Sequence, residues 1–358
     1  MKPTKLALII PSLRGGGAER IMTNLARNLS RDKFVIKLII VNKVGPYTRL
    51  VPNDIEVVDL KSERVRYGIP KLVKEINKFE PNIILSTLGH LNLVILALRP
   101  FLSGSPKIFV RQAIAPSKSR TKDNRLFTFL YKTLYPKADL IIAQCLDMKK
   151  DIVNTFGIKD SKIEYIYNPL DIDYIKGSML GDSPYDSNKI NYLAVGRLTF
   201  QKGFDVLLNA FKIVNKEIPN SNLTILGDGE LKEKLNLQME ELGLSKSVRF
   251  IGFVDNPYPY YYHSDTYVLS SRYEGFPNTL LEALACGTKV VATDCKSGPK
   301  EIIGDNQFGR LVLEEDPQAL AEAMIYSVKE ENKTKDRANF FSLEKIIKDY
   351  EKQFLPNE

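Results

Sequence analysis

Cysteine and histidine are scarce in this chain of 358 residues, which has three of the first (Cys145, Cys286, Cys295) and two of the second (His90, His263). No cysteine spacing matches a zinc site or a dithiol motif, so a cysteine-rich metal or redox module is excluded. The thiols are expected to be free in a reducing cytoplasm. Long apolar runs are missing as well. The longest, "LNLVILALRPFL", is broken by Arg99 and Pro100 and is shorter than the roughly 20 residues of a spanning helix. The basic start "MKPTKLALIIPSL" carries only six apolar positions, Leu6 to Pro11, with no small-residue cleavage site after them. A buried first strand is expected there, not a signal peptide. There is no low-complexity tract and no short-period repeat.

What is present fits a soluble globular protein of two domains, with 44% hydrophobic and 26% charged residues. The charge is uneven. Residues 1–180 hold 30 Lys and Arg against 16 Asp and Glu, a net +14, whereas residues 181–358 hold 21 against 27, a net −6. Such asymmetry points to an anionic surface facing the first half.

Short apolar runs alternate with segments of helical period. Strands are expected at Lys5–Ile10, Val35–Val41, Asn82–Leu85, Lys107–Val110 and Leu140–Ala143, and again at Tyr192–Val195, Leu223–Leu226, Val248–Gly252, Thr266–Ser270 and Val290–Thr293. Helices are expected near 18–29, 69–79, 91–99, 123–134, 146–156, 203–216, 230–242, 277–286 and 317–329. Near-continuous apolar strands separated by helices predict parallel sheets covered on both faces. Two such sets predict two doubly wound α/β domains, with "NPLDIDYIKGSMLGDSPYDSNK" (168–189) as the linker. Ligands of such folds bind at the carboxyl ends of the strands, and that is where the motifs lie.

In "IIPSLRGGGAER" a strand runs into three glycines and then a helix, a place where amides can approach a phosphate. In "YLAVGRLTFQKGF" a buried strand ends at Gly196, and Arg197 and Lys202 flank the turn into the next helix. Two cations over one strand end suit a diphosphate. Gly227 closes another strand, and Phe253 and Val254 follow a further one, available to a flat base. "YEGFPNTLLEALACG" places Glu274 before a helix and Glu282 within it, eight positions apart. Acids repel phosphate, so both are read as acceptors for hydroxyls: Glu274 for a sugar and Glu282 for a ribose, with helix amides from Asn278 through Thr279 to Leu280 turned to the phosphates between them. A glycosidase acid pair is the rival reading; the neighbouring cations and glycine turns speak against it.

Glu274-Gly275-Phe276-Pro277 with Glu282 and "ALACGTKVVATD" resembles the E-x7-E signature of glycosyltransferase family 4, in the type that builds bacterial surface polysaccharides or lipid-linked glycans. "VGRLTFQKG" and "SLRGGGAER" match the family's other motifs in order, and the resemblance runs from residue 5 to about 330. It implies a GT-B fold, two facing Rossmann-like domains with a cleft between them. It further implies a retaining enzyme in which Arg197 and Lys202 hold the diphosphate, Glu274 contacts the donor sugar, Glu282 contacts the ribose, and Gly16 and Gly17 lie beside the donor phosphate. Gly275 and Phe276 belong to the same donor motif. The implied organisation is an acceptor-binding domain over 1–170, a linker over 171–189, a nucleotide-sugar domain over 190–335, and a terminal helix over 336–358 packing back on the first domain.

Many relatives carry a histidine after the strand that here ends at Val110. This chain reads "VRQAIAPSKSR" there. His90, after another strand, is the candidate cleft contact, and His263 in "YPYYYH" is expected in a packed helix turn. The expected reaction moves a sugar from a nucleotide diphosphate donor, a UDP sugar, to a hydroxyl of a lipid-linked or growing glycan. The expected attack is on the same face, with the leaving phosphate as base. No cofactor or obligatory metal is expected, because no Asp-x-Asp cluster follows a strand. The basic Lys118, Arg120, Lys122 and Arg125, beside an aromatic-rich helix, are expected to meet an anionic membrane on its cytoplasmic face. A nucleic-acid or anionic-surface binding protein, and a glycan phosphorylase of the same fold, are the alternatives; no nucleic-acid motif is present.

Overall fold

The central strands of both sheets have no polar face. The structure, a computed structural model, describes residues 2–14, 16–118, 124–332, 334 and 336–355. The chain forms two compact units, residues 1–169 with 343–358, and residues 170–342. The strands of the first are β1 (Thr4–Ile10), β2 (Phe34–Ile40), β3 (Glu56–Asp59), β4 (Ile83–Thr87), β5 (Lys107–Arg111), β6 (Leu140–Ala143) and β7 (Ile163–Tyr165). They are all parallel, in the order β3-β2-β1-β4-β5-β6-β7. Every residue of β4 and the last five of β1 are buried, which requires cover on both faces. The crossovers supply it: α1 (Gly17–Asn28), α2 (Ile69–Phe79), α3 (Gly89–Leu98), α4 (Arg125–Leu134) and α5 (Leu146–Phe156).

The second unit opens with α6 (Ile172–Ser178), then alternates β8 (Ile190–Val195), α7 (Phe204–Glu217), β9 (Ser221–Leu226), α8 (Lys232–Glu241), β10 (Val248–Gly252), α9 (Tyr258–His263), β11 (Thr266–Leu269), α10 (Asn278–Ala285), β12 (Lys289–Thr293), α11 (Pro299–Ile303), β13 (Arg310–Val312) and α12 (Pro317–Ser327). Its parallel sheet runs β10-β9-β8-β11-β12-β13. In both sheets the chain order reverses beside the first strand, between β1 and β4 and between β8 and β11. Loops leaving the two strands at a reversal diverge and open a crevice at the carboxyl edge.

All ten expected strands are present. Three further strands, β3, β7 and β13, are short pieces at sheet edges. They are half-buried or exposed over most of their length, so they lack the apolar run that marks a strand in sequence. The segment expected as linker contains α6. The Asp171 carboxylate accepts from the Tyr174 N–H at 3.2 Å and caps it, and the helix packs on α9 and α10. With one buried residue, Ile175, α6 has no period to read. The "YPYYYH" stretch is α9, with Tyr258 and Tyr261 buried as a packed turn, and His263 is bonded to the Gly181 carbonyl at 3.0 Å.

The last helix, α13 (Leu343–Phe354), belongs to the first unit. Ile346, Tyr350 and Phe354 recur every four residues and lie in one cluster with the first sheet. The Phe354 ring meets Phe34 edge-on and Phe109 at a tilt, both at 5.9 Å. Tyr350 Oη accepts from the buried Arg111 Nε at 3.2 Å, and the Asn168 side-chain oxygen accepts from Arg111 Nη2 at 2.5 Å. Truncating the ring in Phe354→Ala should lower the stability of this unit by about 3–5 kcal/mol, read as an earlier urea midpoint. An unchanged midpoint would show that α13 adds nothing to that core.

Candidate active site

The loops that leave β8 and β11 at the reversal of the second sheet are laced together. The Arg272 N–H donates to the Gln201 carbonyl (2.8 Å), Ser270 Oγ to the Lys202 carbonyl (2.9 Å), and the Gln201 side-chain amide to the Tyr273 carbonyl (3.0 Å). Lys202 lies back across Gly196. A Cβ on Gly196 would sit 2.9 Å from Lys202 Cε, so glycine is needed for the lysine to take this path. Gly227, at φ +129°, lies against the Gly196 carbonyl.

The lysine ends on Glu274, with Nζ 2.7 Å from Oε1. Ser271 Oγ donates to the same oxygen at 2.6 Å, and Gln201 Nε2 approaches Oε2 at 3.4 Å. Glu274 is only 6% exposed, so its charge is held by a lysine, a hydroxyl and an amide out of bulk water. Arg197, on the same loop, is exposed and makes no ion pair among the described residues. The two expected phosphate ligands are therefore in different states, one paired and one open to solvent.

Arg272 is the residue that the sequence reading passed over. Its guanidinium forks onto Asp205 in the first turn of α7 (2.9 and 2.7 Å), donates to the Phe200 carbonyl (2.8 Å), pairs with Glu315 and stacks over the Phe200 ring at 4.1 Å. Burial pushes the Asp205 carboxyl up, but the Arg272 fork outweighs it and holds the group below the usual carboxylate value. One buried cation thus bolts the Glu274 loop to the Lys202 turn. Ser271 and Gln201, the other partners of Glu274, were also missed, although both lie within a residue or three of the motif acids and cations.

Helix α10 starts at Asn278 without a side-chain cap, which leaves its positive end turned to the strand edge. Asn278 and Thr279 are half-buried there, with Thr279 Oγ1 accepting from Tyr267 at 2.8 Å. Leu280 is placed differently from Asn278 and Thr279. Its side chain is fully buried, and its N–H is bonded to the Pro277 carbonyl at 3.1 Å. Phe276 packs into the unit against Phe341 at 5.8 Å, beside half-exposed Gly275. Glu282, one turn into the helix and 4% exposed, accepts from Tyr261 Oη at 3.3 Å. Burial and the Glu282 carboxylate push the nearby Cys286 thiol up to about 12. Phe253, 75% exposed, and Val254 follow β10, two strands or about 10 Å along the edge from β8.

The remaining expected residues lie in the first unit. Gly16 and Gly17 start α1 after β1, and exposed His90 lies in the first turn of α3 after β4. These are the two strands at that sheet's own reversal. A Cβ on Gly16 would strike the Glu19 carboxylate at 2.4 Å, so the start of α1 already carries an anion. Lys118 ends a short turn, and exposed Arg125 begins α4; Arg120 and Lys122 lie outside the described residues. Among the described residues no three His, Cys, Asp or Glu side chains gather as metal ligands would.

Two expectations follow from the pairing. Lys202→Ala should weaken nucleoside diphosphate binding by about 1.5–3 kcal/mol, whereas Glu274→Gln, which releases the ammonium, should preserve or strengthen it while turnover falls. Calorimetry with the bare nucleotide separates them, and equal weakening in both would dismiss the division of roles. Arg272→Ala should destabilise the second unit by about 1.5–3 kcal/mol, with Arg272→Lys recovering only part of the loss because an ammonium cannot fork. Thermal melting of both variants checks this.

Comparison with known proteins identifies the family. Residues 15–174 match the family model described as Glycosyltransferase Family 4, and residues 181–340 the model described as Glycosyl transferases group 1. The chain is 32% identical to an N-acetylgalactosamine-N,N'-diacetylbacillosaminyl-diphospho-undecaprenol 4-alpha-N-acetylgalactosaminyltransferase of Campylobacter jejuni, over 98% of this chain and 99% of that one. It is 26% identical to a second enzyme of that organism, a GalNAc-alpha-(1->4)-GalNAc-alpha-(1->3)-diNAcBac-PP-undecaprenol alpha-1,4-N-acetyl-D-galactosaminyltransferase, over 99% and 96%. Among solved structures, HepE of Anabaena in complex with UDP and glucose superposes with a TM-score of 0.82 at 19% identity, covering 98% of this chain and 99% of that one. With family models matching both halves, a 32% identical glycosyltransferase over nearly its whole length and two parallel α/β sheets of the GT-B type, the chain belongs to glycosyltransferase family 4 and is a glycosyltransferase.

Proposed function

We propose that this glycosyltransferase moves a sugar, with retention, from a UDP donor to a hydroxyl of a lipid-linked glycan. The observation that carries the reading is the adjacency of Lys202 and Glu274 at the reversal of the second sheet. A diphosphate ligand and a hydroxyl acceptor side by side fit the junction of a nucleotide sugar, where the glycosidic bond breaks. Lys202, Arg197 and the amino end of α10 stabilise the charge that grows on the leaving diphosphate, the main catalytic term. Glu274 orients the sugar and Glu282 the ribose, while exposed Phe253 and Val254 offer a surface to the base. The acceptor attacks from the face that the diphosphate leaves, and a phosphate oxygen takes its proton. Gly16, Gly17 and His90, at the first sheet's own reversal, are read as ligand contacts of the first unit. The lipid-linked acceptor and an N-acetylhexosamine donor are supported by the names of the two Campylobacter relatives.

Reaching a lipid-linked acceptor calls for a docking surface, and no helix among the described residues is long and apolar enough to cross a membrane. Helix α4 has two sides. Tyr131 is buried, stacked on Phe156 at 4.6 Å, whereas Leu126 and Phe129 are each 63% exposed between Arg125 and Lys132, also exposed. Apolar side chains flanked by cations suit shallow insertion into an anionic leaflet, on the cytoplasmic face of the membrane. Vesicles with anionic lipid should sediment the protein, less so as salt rises. Leu126→Ser with Phe129→Ser should abolish sedimentation without changing the melting temperature. Binding indifferent to both salt and lipid charge would reject this docking mode.

The reaction itself is tested with undecaprenyl-diphosphate-linked glycans and a panel of UDP sugars, beginning with UDP-GalNAc. The product should carry an α linkage by NMR, the configuration of the donor. A β linkage would overturn retention, and transfer from no UDP sugar would overturn the donor assignment.

A further inference from the structure

Strand β12 ends at Thr293, and the chain reaches α11 through residues 294–298. Three features of that turn coincide on Ser297. Its backbone sits at φ +74°, in the left-handed region that a residue with a Cβ enters at a cost, and Gly298 follows at φ +105°. Its side chain is fully buried. Its hydroxyl has no hydrogen-bond partner among the described residues. Buried polar groups are paired in the great majority of native sites, and strained backbone gathers where a ligand is held. Either feature alone is weak; here one residue carries both.

The turn leans on the loop that carries Glu274. The Glu274 N–H approaches the Lys296 carbonyl at 3.4 Å, and Thr293 Oγ1 donates to the Ser271 carbonyl at 2.6 Å. Gly298 packs so closely that a Cβ there would lie 2.8 Å from Phe276 Cδ2 and 2.9 Å from Pro277 Cδ. Contacts to the Glu274 loop thus flank Ser297 in sequence on both sides. We propose that Ser297 is a specificity contact for the donor sugar. Its hydroxyl hydrogen-bonds a polar substituent of the sugar ring, a hydroxyl or an acetamido group, distinct from the one that Glu274 accepts. The sugar supplies the partner that the free protein lacks.

The inference rests on the donor-site reading, so the experiment runs Glu274→Gln beside Ser297→Ala and Ser297→Gly. Each is assayed with UDP sugars that differ by one ring substituent. Discrimination built on a hydrogen bond is large, because the unpaired group in the site penalises the analogue that lacks it. Ser297→Ala should lower kcat/KM for the preferred donor about tenfold to a hundredfold and shrink its advantage over one analogue by the same factor. UDP affinity should be unchanged. The melting temperature should be no lower than that of the wild type, because an unpaired hydroxyl is being removed. Ser297→Gly should show the same loss with a higher melting temperature, the strain being relieved as well. Unchanged discrimination in both Ser297 variants, with turnover lost in Glu274→Gln, overturns the contact and leaves the donor site standing. Silence in all three overturns the site reading itself. A Ser297→Ala protein that fails to fold, or loses UDP affinity together with stability, shows a structural hydroxyl and also overturns the proposal.

Discussion

The Lys202–Glu274 pair is the constraint on which the second unit's carboxyl edge is built. Two opposite charges 2.7 Å apart and largely withdrawn from water are tolerable only while each is compensated, because removing one leaves the other desolvated and alone. That requirement fixes much else. The lysine must cross a strand end without obstruction, hence Gly196. The carboxylate must find further donors, hence Ser271 and Gln201. The two loops must not drift apart, hence the lacing of main chain to main chain between them.

Arg272 makes that lacing rigid. Its partners lie on three pieces of chain: Phe200, through both its carbonyl and its ring, the Asp205 carboxylate at the start of α7, and Glu315 beyond β13. A planar fork serves here where an ammonium would not, because the geometry is bidentate on Asp205 and stacked on an aromatic face. The reactive groups on the sheet edge are thus placed by a neighbour that touches neither of them. The same logic links the parallel sheet to the chemistry: β8 and β11 are adjacent only because the chain order reverses between them, and that adjacency brings a motif from residue 202 to one from residue 274.

The central strands were legible because burial on both faces writes itself as an unbroken apolar run, as in "LALII" of β1 and "IIL" of β4. The edge strands β3, β7 and β13 were not, since half-exposed residues carry mixed chemistry. Helix α6 was hidden for the same reason, lying in a stretch whose prolines and glycines looked like linker. At the second sheet's edge, Lys202 and Glu274 were legible as charges following strands, and the structure pairs them; that they meet each other is not written in either motif. The Leu280 bond was not legible, because sequence shows a helix start but not which of its amides is bonded to Pro277. Arg272, Asp205 and Glu315 escaped because their meaning lies only in their convergence across distant segments. Ser297 escaped because neither a backbone angle nor a missing partner is written in a residue type.

Under the proposed donor reading, the closeness of the pair decides which ligand binds better. A bare nucleoside diphosphate that draws Lys202 away leaves Glu274 buried with only Ser271 and Gln201, a poorly compensated charge. In that reading an intact nucleotide sugar meets both ends at once, its phosphate taking the ammonium and its ring hydroxyl taking the carboxylate. Separation of the pair is then opposed once and compensated twice. Part of the binding energy of the sugar is therefore realised only when the phosphate is also bound, so the two subsites are coupled through a single hydrogen bond. In the proposed mechanism, as the glycosidic bond breaks, negative charge grows on the diphosphate and draws Lys202 further. Glu274 is then held increasingly by the sugar, which ties the sugar's orientation to the progress of cleavage, where an interaction contributes most to rate.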